Sequence, residues 1–117
     1  MLFGKKKKST APQPDVVYTY PQTENYRGFK RYKLSSYGHQ PAQDGIRALT
    51  DVDLTGSRIA VSVFSGDSPR ALISVGNHEV GTIWKHSFDK FTALKNGKIT
   101  AIRLEIRDGD SYLFYKV

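Results

Sequence analysis

Apolar and polar positions alternate most clearly in the second half of the chain. Arg58 to Phe64, RIAVSVF, is rich in β-branched residues and predicts a strand. Ala71, Ile73 and Val75 then alternate with Leu72 and Ser74, Gly76-Asn77-His78 interrupts, and Val80, Thr82 and Trp84 alternate with Gly81 and Ile83 on the way back. Alternation on both sides of a Gly-Asn breaker predicts a β-hairpin over Arg70 to Trp84. Gly81, inside the return strand, predicts a bulge or a close backbone approach. Ile102, Leu104 and Ile106 against Arg103, Glu105 and Arg107 predict a strand over Lys98 to Arg107. Asp108-Gly109-Asp110 is the turn, and Ser111 to Val117 is the last strand. Between hairpin and final strands, Ser87 is the expected N-cap of a short helix. Phe88, Phe91 and Leu94 share a face of it, and Asn96-Gly97 ends it.

The first half is less regular. Tyr26 to Tyr37, YRGFKRYKLSSY, predicts a strand region, with Phe29, Arg31, Lys33 and Ser35 facing one way and Lys30, Tyr32, Leu34 and Ser36 the other. Gln40 to Thr50 reads either as a short helix opened by Pro41, with Ala42, Ile46 and Leu49 on one face, or as an irregular loop; Gly45 argues against the helix. Asp51, Asp53 and Gly56 make a turn-prone approach to the next strand. Residues 1–25 carry Pro12, Pro14 and Pro21 with Ser, Thr and Gln and no apolar period, which predicts a flexible basic arm. The expected organisation is that arm followed by one domain over residues 26–117. Runs of antiparallel strands with one short helix predict a mainly β (α+β) fold, a small antiparallel β-barrel or half-open barrel.

Composition narrows the partners. The 117 residues suit one domain, and with no cysteine there is neither a disulfide framework nor a thiolate metal site. That fits a reducing compartment, and a cytoplasmic protein is the expectation. No apolar run approaches the roughly 18 residues of a membrane span, and no apolar segment of the signal-peptide kind follows the basic run. The net charge is +7, of which Lys5 to Lys8 supply four and leave +3 on the rest. A basic excess favours nucleic acid or an anionic membrane as partner. MLFGKKKK joins four lysines to only two large apolar residues, so peripheral membrane contact is disfavoured against a solvated charged tail.

Few residues carry candidate chemistry. His39, His78 and His86 have no partner histidine at ligand spacing, and no metal site is expected. Asp51 with Asp53, and Asp108 with Asp110, pair carboxylates that turns account for. No nucleophile–base pair, phosphate-binding glycine loop or dinucleotide fingerprint is present, so neither an enzyme nor a cofactor is expected. Tyr26 to Lys33 interleaves basic and aromatic residues, the texture of a surface that stacks bases and neutralises phosphates, and equally that of an edge strand guarded by lysines. Trp84, followed by Lys85, is either a stacking platform or, the favoured reading, a structural residue closing a barrel end over Phe88 and Phe91. The row Arg103, Glu105, Arg107 reads as a solvated strand face. Tyr112 and Phe114, opposite Leu113 and Tyr115, either meet other elements or form a binding patch.

Ile59 to Ile106 resembles the HIRAN domain family. The matching pieces are Ala71-Leu72-Ile73-Ser74-Val75, Gly76 to Glu79, Val80-Gly81-Thr82-Ile83, Ser87 to Leu94 and the final β-rich segment Ile99 to Ile106. The loop ahead of the alanine strand, Ser65-Gly66-Asp67-Ser68-Pro69-Arg70, lacks the asparagine and the aromatic that the family often carries there. The resemblance implies an OB- or SH3-like barrel that holds a single-stranded DNA end. The first expectation is therefore a non-catalytic module for single-stranded DNA or DNA ends, contacted by Lys30, Arg31, Tyr32, Lys33, Arg70, Trp84 and Lys85. The second is a protein-interaction module on the same barrel, using the surface around Tyr112 and Phe114.

Overall fold

The structure is a computed structural model that describes residues 13–117, leaving aside the side chains of residues 88–91. Seven strands and two helices follow in the order β1 (Val16–Pro21), β2 (Lys30–Lys33), α1 (Gln40–Leu49), β3 (Arg58–Phe64), β4 (Arg70–Val75), β5 (His78–Trp84), α2 (Phe88–Lys95), β6 (Ala101–Arg107) and β7 (Asp110–Lys116). They form two antiparallel sheets, β1-β3-β4-β5 and β2-β7-β6. The mainly β, antiparallel fold expected from the alternation is the fold observed. Each sheet turns one apolar face inward; Ile59, Ile73, Ile83, Ile102, Leu104 and Leu113 are fully buried between them. The sheets are not one continuous ladder. They meet at two seams, each spanned by one isolated bridge, Gln22↔Ile102 and Ser35↔Thr82.

Both hairpins turn as their residues dictate. Gly76 takes φ 60° at the first central position between the paired Val75 and His78, where a type II′ turn places glycine. Asp108 and Gly109 take φ 51° and 81°, the two positive values of a type I′ turn, between the paired Arg107 and Asp110. The irregularity expected at Gly81 is present: the β4–β5 register shifts between Ile73 and Ser74. A Cβ at position 81 would lie 2.5 Å from Leu34 Cβ and 3.0 Å from Ser111 Oγ, so the missing side chain lets the seam close.

Several expectations need correction. The arm does not extend to residue 25: Val16–Pro21 is a strand paired with β3 along its whole length. Val16, Tyr18 and Tyr20 pack against the core opposite Val63, Val61 and Ile59, a period-2 pattern hidden between the prolines. Pro21 is tolerated because it ends an edge strand, where no neighbour needs its missing N–H. Residues 1–12, with Lys5 to Lys8, lie outside the described residues. The segment left open between helix and loop, residues 40–50, is α1, which buries Ala42, Ile46 and Leu49. Ser87 does precede α2, but its side chain makes no cap bond; its hydroxyl is engaged by Tyr32 Oη. The packing expected of Phe88 and Phe91 falls outside the described side chains, whereas Leu94 is fully buried. β6 begins at Ala101 rather than Lys98, with the preceding Thr100 N–H donating to Lys116 O at 2.8 Å.

Gly45 explains itself by contact. A Cβ there would sit 1.7 Å from the backbone oxygen of Glu79, so α1 can lie on β5 only with glycine at this position. In an exposed helix interior Gly→Ala stabilises by about 1 kcal/mol. Here Gly45→Ala should instead destabilise by about 2 kcal/mol through overpacking. A urea denaturation midpoint that rose in this variant would overturn the α1–β5 contact.

A candidate nucleic-acid interface

Register builds the first surface. Phe64 pairs with Arg70 across β3 and β4, and Arg70 pairs with Trp84 across β4 and β5. Their parity is opposite to that of Ala71, Ile73 and Ile83, so the three side chains stand in one row on the outer face of the four-stranded sheet. The Arg70 guanidinium lies 4.2 Å from the Phe64 ring centroid and 6.0 Å from that of Trp84. Its Nη1 donates to Ser68 O at 2.8 Å. A guanidinium held between rings keeps its in-plane donors available for an anion.

This row borders a groove. One stretch of about 450 Å³ runs between the row and Tyr37, His39 and Glu79. It continues towards Gln13 and Ser65 to Ser68 in a stretch of about 530 Å³ that shares His39, Phe64, Arg70 and Trp84. In the other direction Ser35 and Tyr37 also line a cleft of about 700 Å³ that reaches Lys33 and Arg47. Tyr37, 98% exposed, stands where the groove and this cleft meet. His39, the residue before α1, bonds Glu79 Oε2 through Nε2 at 2.7 Å and so joins the loop to the hairpin.

The outer face of the three-stranded sheet is a second cationic surface. Arg31 lies 5.4 Å over the Tyr112 ring, Arg103 4.4 Å over Tyr26 and Arg107 5.9 Å over Phe114. Tyr26 packs edge-on against Phe114 with centroids 4.9 Å apart, which leaves Phe114 only 8% exposed. The row Arg103, Glu105, Arg107 is not the solvated face expected: the Glu105 side chain is 12% exposed and that of Arg103 25%. Arg103 Nε donates to Glu105 Oε2 at 2.8 Å and its Nη1 to Thr23 O at 2.9 Å, while Arg107 holds Oε1. Burial alone would push the Glu105 carboxyl up. Hydrogen bonds from Arg103 and Tyr26, with the charge and hydrogen bond of Arg107, outweigh it and hold the group below the usual glutamate range.

The sequence-derived contacts divide between these surfaces. Arg70, Trp84 and Lys85 come together, the last beside Ser68, Pro69 and His86. Its register with Arg70 turns Trp84 to the outer face of the sheet, and the packing over Phe88 and Phe91 expected of it falls outside the described side chains. Arg31 and Lys33 belong to the other sheet, with Lys33 3.4 Å from Asp110 and Lys30 exposed at the start of β2. Tyr32 is corrected: it packs against the core with its hydroxyl on Ser87, so it is not a surface contact. Phe64 and Tyr37, which did not stand out in the sequence, line the site together with His39, which was weighed there only as a metal ligand. Phe64 was legible, since it closes an alternating strand on the side opposite Ile59, Val61 and Val63; the other two sit in a loop whose course no local pattern reveals.

The remaining candidate chemistry has local explanations. Asp53 accepts Thr55 N–H at 2.9 Å, a turn bond that lowers its pKa, and Asp51 takes φ 64° within the same turn region. Among the described residues no three of His, Asp and Glu gather as a metal-binding group, and no described helix is long and apolar enough to cross a membrane. Comparison with known proteins adds nothing to this geometry: no family model, curated protein or solved structure matches the chain. The likeness to HIRAN domains therefore rests on the residues quoted for it.

Glu105 gives a pH-dependent expectation. Its folded pKa is depressed, so its stabilising contribution is complete above the unfolded-state value near 4.5 and is lost as the pH falls through the folded value. Glu105→Gln should cost about 2 kcal/mol at neutral pH, and the gap to wild type should close in acid. Urea midpoints across that range test this; a gap constant with pH would mean that the ion cluster contributes nothing.

Proposed function

We propose that the chain is a non-catalytic nucleic-acid-binding module that takes single-stranded DNA in the groove beside Phe64, Arg70 and Trp84. The observation that carries this reading is the row itself: one guanidinium held between two rings at 4.2 and 6.0 Å, on the wall of an open groove that Tyr37 also lines. Aromatic faces accept any base, each stack contributing about 1–3 kcal/mol, and cations follow the backbone. Arg70 lies at the end of the loop that differs from the HIRAN pattern, so here a phosphate contact through arginine takes the place of the family's loop residues. Lys85 on one side, and Arg47 along the cleft, extend the phosphate path. Lys5 to Lys8 add sequence-independent attraction.

The protein-interaction alternative has little surface to use, since Phe114 lies under Tyr26 and Arg31 stacks on Tyr112. Fluorescence anisotropy with a labelled single-stranded oligonucleotide tests the proposal. Trp84→Ala should weaken binding by about 10-fold to 100-fold, the worth of one base stack. Affinity should also fall steeply between low and physiological salt as counterions are released, and it should survive replacement of Lys5 to Lys8 by glutamine. Binding that vanished with those lysines, or that ignored Trp84→Ala, would remove the groove from the proposal.

A further inference from the structure

Arginine stacked on an aromatic ring recurs across this small domain. Four arginines, Arg31, Arg70, Arg103 and Arg107, each lie over an aromatic ring among the described residues 13–117. Only Arg70 belongs to the groove. The other three stand on the opposite side of the molecule, on the outer face of β2-β7-β6. Register places five cations on that face: Arg31 and Lys33 from β2, Arg103 and Arg107 from β6, and Lys116, paired with Ala101, from β7. Only two carboxylates, Glu105 and Asp110, share it. Glu105 is occupied by Arg103 and Arg107, and Asp110 by Lys33. Among the described residues Arg31 and Lys116 have no ion-pair partner, and both are exposed. Arg103 and Arg107 spend donors on Glu105 and Thr23, which leaves Arg31, its guanidinium stacked on Tyr112, and Lys116 as the cations free to meet a phosphodiester backbone. The rings are themselves covered by arginines, so the face reads backbone and not bases.

The geometry points to a second nucleic-acid contact on this face, so that one molecule holds two segments, one in the groove and one across β2-β7-β6. The two-segment reading rests on the proposed groove function, whereas the face itself does not. Packed sheets lie about 10 Å apart, and the two surfaces look away from each other. Arg31 and Lys116 line neither the groove nor the cleft that continues it, so a strand seated there leaves both free for a second strand.

The test uses the full chain and two eight-nucleotide oligothymidylates, one with a donor dye and one with an acceptor. Wild type should bring them together and give energy transfer. Arg31→Gln/Lys116→Gln changes two exposed side chains, and its thermal melt should match wild type. It should bind one oligonucleotide and abolish the transfer. The slope of log affinity against log salt should fall by about 1.4, near 0.7 for each phosphate that is no longer neutralised. Transfer and slope both unchanged in that variant would overturn the proposal. Arg70→Gln/Trp84→Ala separates the two readings. If it leaves affinity intact while Arg31→Gln/Lys116→Gln abolishes binding, the groove fails and the face stands as the single contact. If neither oligonucleotide binds, but Arg31-dependent sedimentation with phosphatidylserine vesicles is found, the face belongs to lipid headgroups and the proposal is overturned.

Discussion

The structure depends on a change of partner at Leu34 and Ser35. Up to Lys33 the chain pairs with β7; Leu34 N–H still reaches Ser111 O, and Ser35 then exchanges two backbone bonds with Thr82 on β5. Two residues thus carry the backbone from one sheet to the other. They can do so only because Gly81 offers no side chain to Leu34, while Ser111 Oγ donates to the carbonyl of the bulged Val80. Without this close approach each sheet would keep a free edge, and the apolar faces would have no fixed distance between them. The other seam uses a different device. The Gln22 side chain donates to Leu104 O at 2.7 Å and accepts from Leu104 N–H at 2.9 Å, standing in for one residue of strand where the backbones diverge.

Local pattern accounts for what was readable. β3, β4 and β7 follow period-2 alternation within a residue or so of the expected ends, because each has one face in the core and nothing else competes; β5 departs from it at the bulged Val80. β1 escaped because Pro12, Pro14 and Pro21 and its polar residues resemble an unstructured tail; Tyr18 and Tyr20 are apolar on the inner face only by virtue of their rings. α1 stayed ambiguous because Gly45 weakens a helix locally and is required tertiarily, a conflict that no window of sequence resolves. The site was half legible. Arg70, Trp84 and Lys85 stand out by residue type, but their meeting with Phe64 comes from a strand register that alternation yields only once each strand's partner is known.

Arginine–aromatic stacking explains why side chains expected in solvent are ordered. Arg103 and Arg107 are held by Glu105 and by the rings of Tyr26 and Phe114, and the Tyr26 ring screens the sheet from water. Charge and apolar burial support one another here. A ring covered by a guanidinium loses exposed apolar area, and the guanidinium loses rotamer freedom in advance of any ligand.

Glu79 is gripped from two directions, by the imidazole of His39 through its carboxylate and by α1 at its backbone, where Gly45 allows contact. The helix is therefore fixed at the residue that precedes it and again about one and two-thirds turns on, both times to the same point of the hairpin. His39 and Glu79 both line the groove, whereas the helix itself does not. The loop side and the hairpin side of the groove are thus linked at a single residue, Glu79, so that a substitution on either side is felt by the other.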